Sequence, residues 1–273
     1  MTIAQEQRKN ACEKLEELAE EKLSFKRPVF FIPGWTDEDC TCWVSSYLKR
    51  DRCIQQWVGQ VVQNCQWVNP ISFTEKESES CTSFFDFGDL VKEKVWKKIG
   101  TETEFNLVGH SMGGLDAVAA IVDEVEPLWK VHRLITVATP HQGSELGELG
   151  PKVRKYSRHH ALQCINLDPD QPAIKAVNTL TVRQRLLDRV EKLYCLMGTR
   201  DRAVMASARF KKADIDPAQY QRKVEILQID GATHSQKLGI TQDSRTILAI
   251  LQILLDIELE EPKYSYGYVY QKS

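Results

Sequence analysis

Short apolar runs alternate along this chain with segments of helical period, and that alternation constrains the fold more than any other feature. The first run is Val29-Phe30-Phe31-Ile32, stopped by Pro33-Gly34. It is continuously apolar, as a strand buried on both faces requires. Further runs of this kind read at residues 66–73, 104–108, 133–138, 192–197 and 224–229. Helical patterns lie at 43–64, 87–99, 112–125, 144–189, briefly near Met205, and at 241–259. Strands separated by helices must be joined by crossovers, which are right-handed and yield a mostly parallel sheet covered on both faces. The expectation is an α/β fold with about six strands and, at 273 residues, one core. The 144–189 stretch exceeds an ordinary crossover and reads as an insertion. Residues 4–23 form a charged segment with Leu15, Leu18 and Leu23 on one side, predicting a largely solvated helix. The predicted division is 1–27 as an N-terminal helix, 28–260 as the main domain with 144–189 as a cap, and 261–273 as a tail.

Composition removes several function classes. With 42% hydrophobic and 27% charged residues, the chain is neither disordered nor fibrous. Lys plus Arg number 36 against 38 Asp plus Glu, a net charge of −2, so no global positive field exists to hold nucleic acid. The apolar stretch at 247–259 is interrupted by Gln252, Asp256 and Glu258 and is too short to span a bilayer, so an amphipathic helix is expected there. The first ten residues are polar and lack a signal-like apolar run, which gives the expectation of a cytoplasmic protein with reduced thiols. Cys40, Cys42, Cys53, Cys65 and Cys81 crowd one segment without a C-x-x-C pair matched to further ligands. They are expected to be free thiols, with local disulfides next, and no metal site is predicted.

The segment that carries chemistry is Gly109-His110-Ser111-Met112-Gly113. It follows the strand-like Phe105-Asn106-Leu107-Val108 and precedes a helix with Leu115, Val118, Ala119 and Val122 on one side. A hydroxyl nucleophile needs an exposed Oγ at a sharp turn, and flanking glycines let the backbone fold tightly there. The helix start adds amide donors beside it.

At this point the sequence resembles the α/β-hydrolase superfamily, and within it the lipase and esterase branch. The resemblance covers roughly 28–260 and implies an α/β-hydrolase sheet with a helical cap. In that family the loop after the first core strand supplies an oxyanion donor, and Phe31-Ile32-Pro33-Gly34-Trp35 fits it, which implies the Trp35 amide as one donor. The Met112 amide is the second, because a tetrahedral oxyanion needs two fixed donors. The base should sit in the loop after the last strand, and His234 in Asp230-Gly231-Ala232-Thr233-His234 is there. The other histidines, His110, His132, His159 and His160, are worse placed. The acid should follow the preceding strand, where Gly198-Thr199-Arg200-Asp201-Arg202-Ala203-Val204 resembles the family's Gly-x-x-Asp-x-x-Val loop. Asp201 is therefore the expected acid, with Asp230 its main rival. The order Ser111, Asp201, His234 is also the order of this superfamily.

Thr139-Pro140-His141-Gln142-Gly143-Ser144 resembles a lipase segment that shapes the floor near the nucleophile, so His141 is expected to be structural. Asp168 is expected to cap a short helix. Gly34, His110, Leu146 and Leu149 are assigned to substrate binding. The cap carries Leu146, Leu149, Leu162, Ile165, Leu167, Ile174, Val177 and Leu180 as an apolar side, with Lys152, Arg154, Lys155, Arg158 and Lys175 as a basic one. Such a cap suits acyl chains and transient contact with a lipid surface. The implied activity is serine carboxylic-ester hydrolysis through an acyl-enzyme, on aliphatic or lipid acyl esters and without a cofactor. Thioesterase, amidase and acyltransferase chemistry use the same constellation, and a non-catalytic binding module is the alternative of a different class.

Overall fold

Val29 to Ile32 are all β-branched or aromatic, residues that pack well on a pleated surface covered on both sides. In a computed structural model that describes residues 2–35, 43, 53–100, 104–124, 129–145, 158–205, 207–234, 239–259 and 268–271, they form β1 (Val29–Ile32), fully buried. The other strands are β2 (Val68–Pro70), β3 (Phe105–His110), β4 (Val131–Val137), β5 (Val190–Gly198), β6 (Val224–Ile229) and β7 (Tyr268–Gln271). They hydrogen-bond in the order β2-β1-β3-β4-β5-β6-β7. The first six are parallel, as the alternation predicts. β7 is antiparallel to β6, pairing Tyr268 with Ile229 and Gln271 with Ile226. The sequence reading assigned these residues to a tail, because four residues in a polar context are too few to show a period.

The helices are α1 (Ile3–Glu20), α2 (Ile54–Val61), α3 (Glu75–Ser80), α4 (Phe84–Ile99), α5 (Met112–Val122), α6 (Arg158–Ile165), α7 (Pro172–Val177), α8 (Leu180–Arg189), α9 (Pro217–Lys223) and α10 (Ser244–Leu254). The chain runs from β1 outward to β2 and then reverses to β3, β4 and β5, so right-handed crossovers put helices on opposite faces. α4, α5 and α8 pack together, and α1, α2 and α10 form the second group. The reversal makes a topological switch point between β1 and β3, where the loops at the strands' carboxyl ends diverge and leave a crevice. Pro33-Gly34 and Ser111 lie at those two strand ends.

Two helices were not anticipated. α3 and α9 have six and seven residues, too short for a hydrophobic period, although their start signals are present in Thr74 with Glu77 and in Asp216 before Pro217. The 66–73 run yields only the three residues of β2, preceded by a 3-10 turn at Cys65–Trp67.

α1 differs more from expectation. Gln7, Ala11, Leu15 and Leu18 are all buried, a stripe at helical spacing that docks α1 on α10 and α2. The reading of a largely solvated helix missed Ala11 and Gln7 as contact residues, since neither is strongly apolar. This docking explains why α10, expected to be amphipathic, is buried at every position from Arg245 to Leu254. Its outer face is covered by α1. Among the described residues no helix is long and apolar enough to cross a membrane.

Leu146, Leu149, Lys152, Arg154 and Lys155 of the cap lie outside the described residues. In its described part Leu167, Ile174 and Val177 are buried, whereas Leu162 and Leu180 are exposed. α6 is fastened to the body by Gln163 Nε2, which donates to the Ser78 and Cys81 carbonyls, each at 3.1 Å, and by Asn166 Nδ2 to the Thr82 carbonyl at 2.8 Å. Cys12, Cys53, Cys65, Cys81, Cys164 and Cys195 are free thiols, while Cys40 and Cys42 fall outside the described residues. Asp168 does not cap a helix. Its carboxylate accepts from the Asp170 amide at 2.7 Å, and Gln171 occupies the position before Pro172 of α7.

Candidate active site

The turn between β3 and α5 puts Ser111 at φ 52° and ψ −125°, a backbone region that costs an L-residue roughly 1–3 kcal/mol. The surroundings hold it there. The Ser111 amide donates to the Val137 carbonyl at 2.9 Å, and the Ser111 carbonyl accepts from the Gly114 amide at 3.1 Å. Two glycines permit the close approach of neighbouring backbone. A Cβ on Gly109 would lie 2.5 Å from the Gly113 carbonyl oxygen, and one on Gly113 would lie 2.0 Å from that of Pro33. The turn therefore packs directly on the Pro33-Gly34 loop that leads into Trp35. Met112 is the first residue of α5, so its amide is one of those that a helix leaves without an internal acceptor.

The loops after β5 and β6 bring two side chains to this turn. His234 Nε2 is 2.9 Å from Ser111 Oγ, and His234 Nδ1 is 2.9 Å from Asp201 Oδ2. With Nδ1–H donating to the carboxylate, Nε2 is left to accept the serine proton. Asp201 is only 1% exposed, and its other oxygen accepts from the Ala203 and Val204 amides at 3.0 and 3.1 Å, which fixes the carboxylate's orientation. Asp230, the rival acid, points elsewhere: its Oδ1 accepts from Thr199 Oγ1 at 2.9 Å. Thr199 Oγ1 also accepts from the Gly231 amide at 2.8 Å, and the Arg200 amide donates to the Ala232 carbonyl at 3.0 Å. The acid-bearing and histidine-bearing loops are thus laced together by bonds that do not involve the imidazole.

The remaining predicted residues are placed as follows. Trp35 donates from its indole Nε1 to the His160 carbonyl at 3.1 Å, tying the loop after β1 to α6. Gly34 packs on the turn, where an added Cβ would be 3.1 Å from Ser111 Cβ. His110 is buried between the rings of Trp43 and His234, at centroid distances of 6.1 and 5.2 Å, behind the serine and not along the open cleft. Burial, aided by the neighbouring His234, pushes its pKa down to about 3, so it is neutral. His141 is buried beneath the site with Nε2 2.9 Å from Thr136 Oγ1, and burial lowers its pKa to about 4. Its carbonyl accepts from Asn178 Nδ2 at 2.7 Å, so the lipase-like segment is a structural brace. His132 lies at the start of β4, at the opposite end of that strand from the serine turn, between Glu191 at 2.7 Å and Asp256 at 3.1 Å.

Three features escaped the sequence reading. Asp116 on α5 is 1% exposed, and neither carboxylate oxygen has a hydrogen-bond partner among the described residues. Burial alone holds its pKa well above the usual carboxylate range. Arg245, fully buried, pairs with Asp243 through two bonds of 2.8 Å and donates to the Asp230 carbonyl at 2.7 Å. Arg8 of α1 reaches the same Asp243 at 2.9 Å. This cluster joins the N-terminal helix to the loop carrying His234, and two charged residues at i and i+2 in a polar turn give no signal of it. Finally, a cleft of about 840 Å³ opens beside His234 and Asp201, lined also by Arg200, Arg202, Ala203 and Met205. The arginines stand in the motif that identified Asp201, but charge in a loop does not reveal which way it faces.

A family model described as the PGAP1-like alpha/beta domain matches residues 92–204, which include Ser111 and Asp201 but not His234. Among solved structures, phospholipase PlaB from Legionella pneumophila in complex with thio-NAD superposes with a TM-score of 0.61 at 14% identity, covering 88% of this chain and 60% of that one. The mature form of lipase BlEst2 from Bacillus licheniformis gives 0.51 at 17% identity, covering 86% of this chain and 93% of that one. The chain has the α/β-hydrolase fold. It spans less than two thirds of the length of PlaB. No curated protein sequence matches it.

Proposed function

We propose that this α/β-hydrolase is a serine carboxylic-ester hydrolase of the lipase and esterase type. The observation that carries the reading is the relay of two 2.9 Å contacts from Ser111 through His234 to Asp201, mounted on a strained turn at the sheet's switch point. Ser111 Oγ attacks the ester carbonyl while His234 Nε2 takes its proton. Asp201 keeps the imidazole in the required tautomer and offsets its developing charge. The amides of Trp35 and Met112 stabilise the tetrahedral oxyanion. Collapse expels the alcohol, which leaves with the proton from His234, and water then repeats the sequence to free the acid. Residues 28–260 would form the catalytic unit, with 144–189 as its cap.

Aliphatic or lipid acyl esters are the favoured substrates. The fold's neighbours include a phospholipase and a lipase. Thioesters, amides and acyl transfer to another acceptor engage the same three side chains. A fluorophosphonate probe tests the nucleophile, because only a hydroxyl activated by an adjacent base reacts quickly with it. A single adduct on Ser111, lost in Ser111→Ala together with hydrolysis of p-nitrophenyl butyrate, is expected. An adduct elsewhere, or turnover that survives the substitution, overturns the assignment.

A further inference from the structure

The cleft beside His234 carries an excess of positive charge that the proposed chemistry does not use. Arg200 and Arg202 are exposed, line the cleft on either side of Asp201, and neither pairs with a carboxylate among the described residues. Asp201 cannot supply that pairing. It is 1% exposed and both of its oxygens are committed, to His234 and to the Ala203 and Val204 amides. Asp230 is engaged by Thr199. Two exposed arginines without a carboxylate partner among the described residues therefore line the cleft together with Ala203 and Met205.

The stereochemistry of acyl transfer says which part of a substrate meets them. The imidazole that accepts the serine proton must later hand it to the departing oxygen, so the leaving group sits on the His234 side. The carbonyl oxygen turns the other way, toward the Trp35 and Met112 amides. The arginine-lined cleft adjoins His234 and the loop that carries Asp201. Two guanidinium forks offer many N–H donors in planar pairs, a geometry matched to the several oxygens of a phosphate.

We propose that Arg200 and Arg202 bind a phosphate carried by the leaving group, making the preferred substrate an acyl ester or thioester whose alcohol or thiol part is phosphorylated. This rests on the hydrolase reading above. The reaction is unchanged by it: the acyl carbon–oxygen or carbon–sulfur bond breaks, Ser111 takes the acyl group, His234 protonates the leaving atom, and the phosphate is held without reacting. Phospholipid headgroups and coenzyme A thioesters share this chemistry.

Matched substrate pairs test it. The ester arm compares 1-hexanoylglycerol with 1-hexanoylglycerol 3-phosphate, and the thioester arm compares S-hexanoyl-N-acetylcysteamine with hexanoyl-coenzyme A. In at least one arm kcat/KM should favour the phosphorylated member by about tenfold or more, mainly through KM, since exposed charge-assisted contacts each contribute on the order of a few-fold to tenfold. The arm that shows it identifies the source of the phosphate. Raising salt from about 0.1 M to about 1 M shortens the screening length from about 10 to about 3 Å and should erode the preference. Arg200→Gln with Arg202→Gln should bring the ratio to about one, and the Glu double substitution should bring it below one. Each single Gln variant reads the same ratio should the double variant fail to fold, and fluorophosphonate labelling of Ser111 reports whether the site is assembled. Turnover of the neutral members with ratios near one in both arms, or ratios unmoved by the substitutions, overturns this proposal and leaves the hydrolase reading standing. If no member of either pair is hydrolysed and Ser111 resists labelling, the hydrolase reading itself falls, and this proposal with it.

Discussion

Replacing Gly113 by Ala tests whether the serine turn and the oxyanion loop are held in register by backbone contact. The new Cβ would lie 2.0 Å from the Pro33 carbonyl oxygen and 2.9 Å from that of Ile32, where real Cβ atoms stay beyond 3.0 Å. The two segments must therefore separate by at least 3.0 − 2.0 = 1.0 Å. Both are backbone, so no side chain can rotate away to relieve the contact. Helix propensity pulls in the opposite direction, favouring Ala over Gly by about 0.8–1.0 kcal/mol inside a helix such as α5. Overpacking costs about 1–3 kcal/mol, so the propensity gain offsets only part of it and stability should fall by about 2 kcal/mol or less. Activity has no such compensation. A misplacement of about 1 Å between nucleophile and oxyanion donor costs on the order of a hundredfold in rate, or about 2.7 kcal/mol of barrier. Initial rates with p-nitrophenyl butyrate should show kcat down by about two orders of magnitude, and urea unfolding should show a much smaller change. Gly59→Ala is the control. Gly59 lies in α2 with nothing within 4 Å of an added Cβ, so that variant should gain about 0.5–1 kcal/mol and keep its activity. A Gly113→Ala enzyme with kcat within twofold of wild type would falsify the argument, since the loop would then be free to move without consequence.

Asp201→Asn should lower kcat by about ten-thousandfold while the fold survives, whereas Asp230→Asn should cost less than about tenfold; a reversed order in parallel kinetics reassigns the acid. Asp116→Asn should alter the pH dependence of stability. The folded pKa of Asp116 is raised, so its contribution is complete below the unfolded value near about 4 and is lost as pH rises through the folded one. The variant's urea midpoint should therefore gain on wild type between pH 5 and pH 8, and parallel curves would refute the buried, unpaired carboxyl. Arg245→Met leaves the buried Asp243 with Arg8 as its one remaining cationic partner among the described residues and should cost up to about 3–5 kcal/mol. Burial by itself would raise the Asp243 pKa, but the Arg245 hydrogen bond, with the Arg245 and Arg8 charges, outweighs it and holds the group low. In wild type that stability is present above about pH 4 and is lost as pH falls through the lower folded value. Without Arg245 the folded pKa of Asp243 rises toward or past the unfolded value, so the stability lost on acidification should shrink or reverse in sign, as urea midpoints measured between pH 3 and pH 6 would show.

How far the sequence could be read depended on how each property is encoded. The five central strands lie in long apolar runs or beside a punctuating Pro-Gly or Gly-x-Ser, and each of these signals is local. β7 depends on pairing with β6 and carries little of its own. α1 shows the same limit from the other side. Its charged residues advertise solvent, yet Gln7 and Ala11 are buried because α10 offers an apolar outer face that must be covered. That face, read alone, looked like half of an amphipathic helix. The complementarity of two segments more than 220 residues apart is invisible to any window, and so was the Arg8–Asp243–Arg245 cluster that stitches them.

The Ser111, Asp201 and His234 positions were legible because each follows a recognisable strand and the chain order restricts which loop supplies which group. The choice between Asp201 and Asp230 was not local in that sense, since both lie in polar loops at the same edge of the sheet. Geometry separates them by what else each carboxylate does. Asp201 turns inward and spends one oxygen on the Ala203 and Val204 amides, which leaves Oδ2 aimed at His234. Asp230 spends its side chain on Thr199, and its carbonyl accepts from Arg245. Thr199 in turn holds Gly231, and Arg200 holds Ala232, so the rival carboxylate serves to align the loop on which the histidine rides. The consequence bears on the Asn substitutions above. Because the two loops are joined by these bonds independently of the imidazole, Asp201→Asn should remove the charge and the tautomer preference while His234 stays within reach of Ser111. A large loss of kcat in that variant is then attributable to protonation chemistry and not to a displaced base.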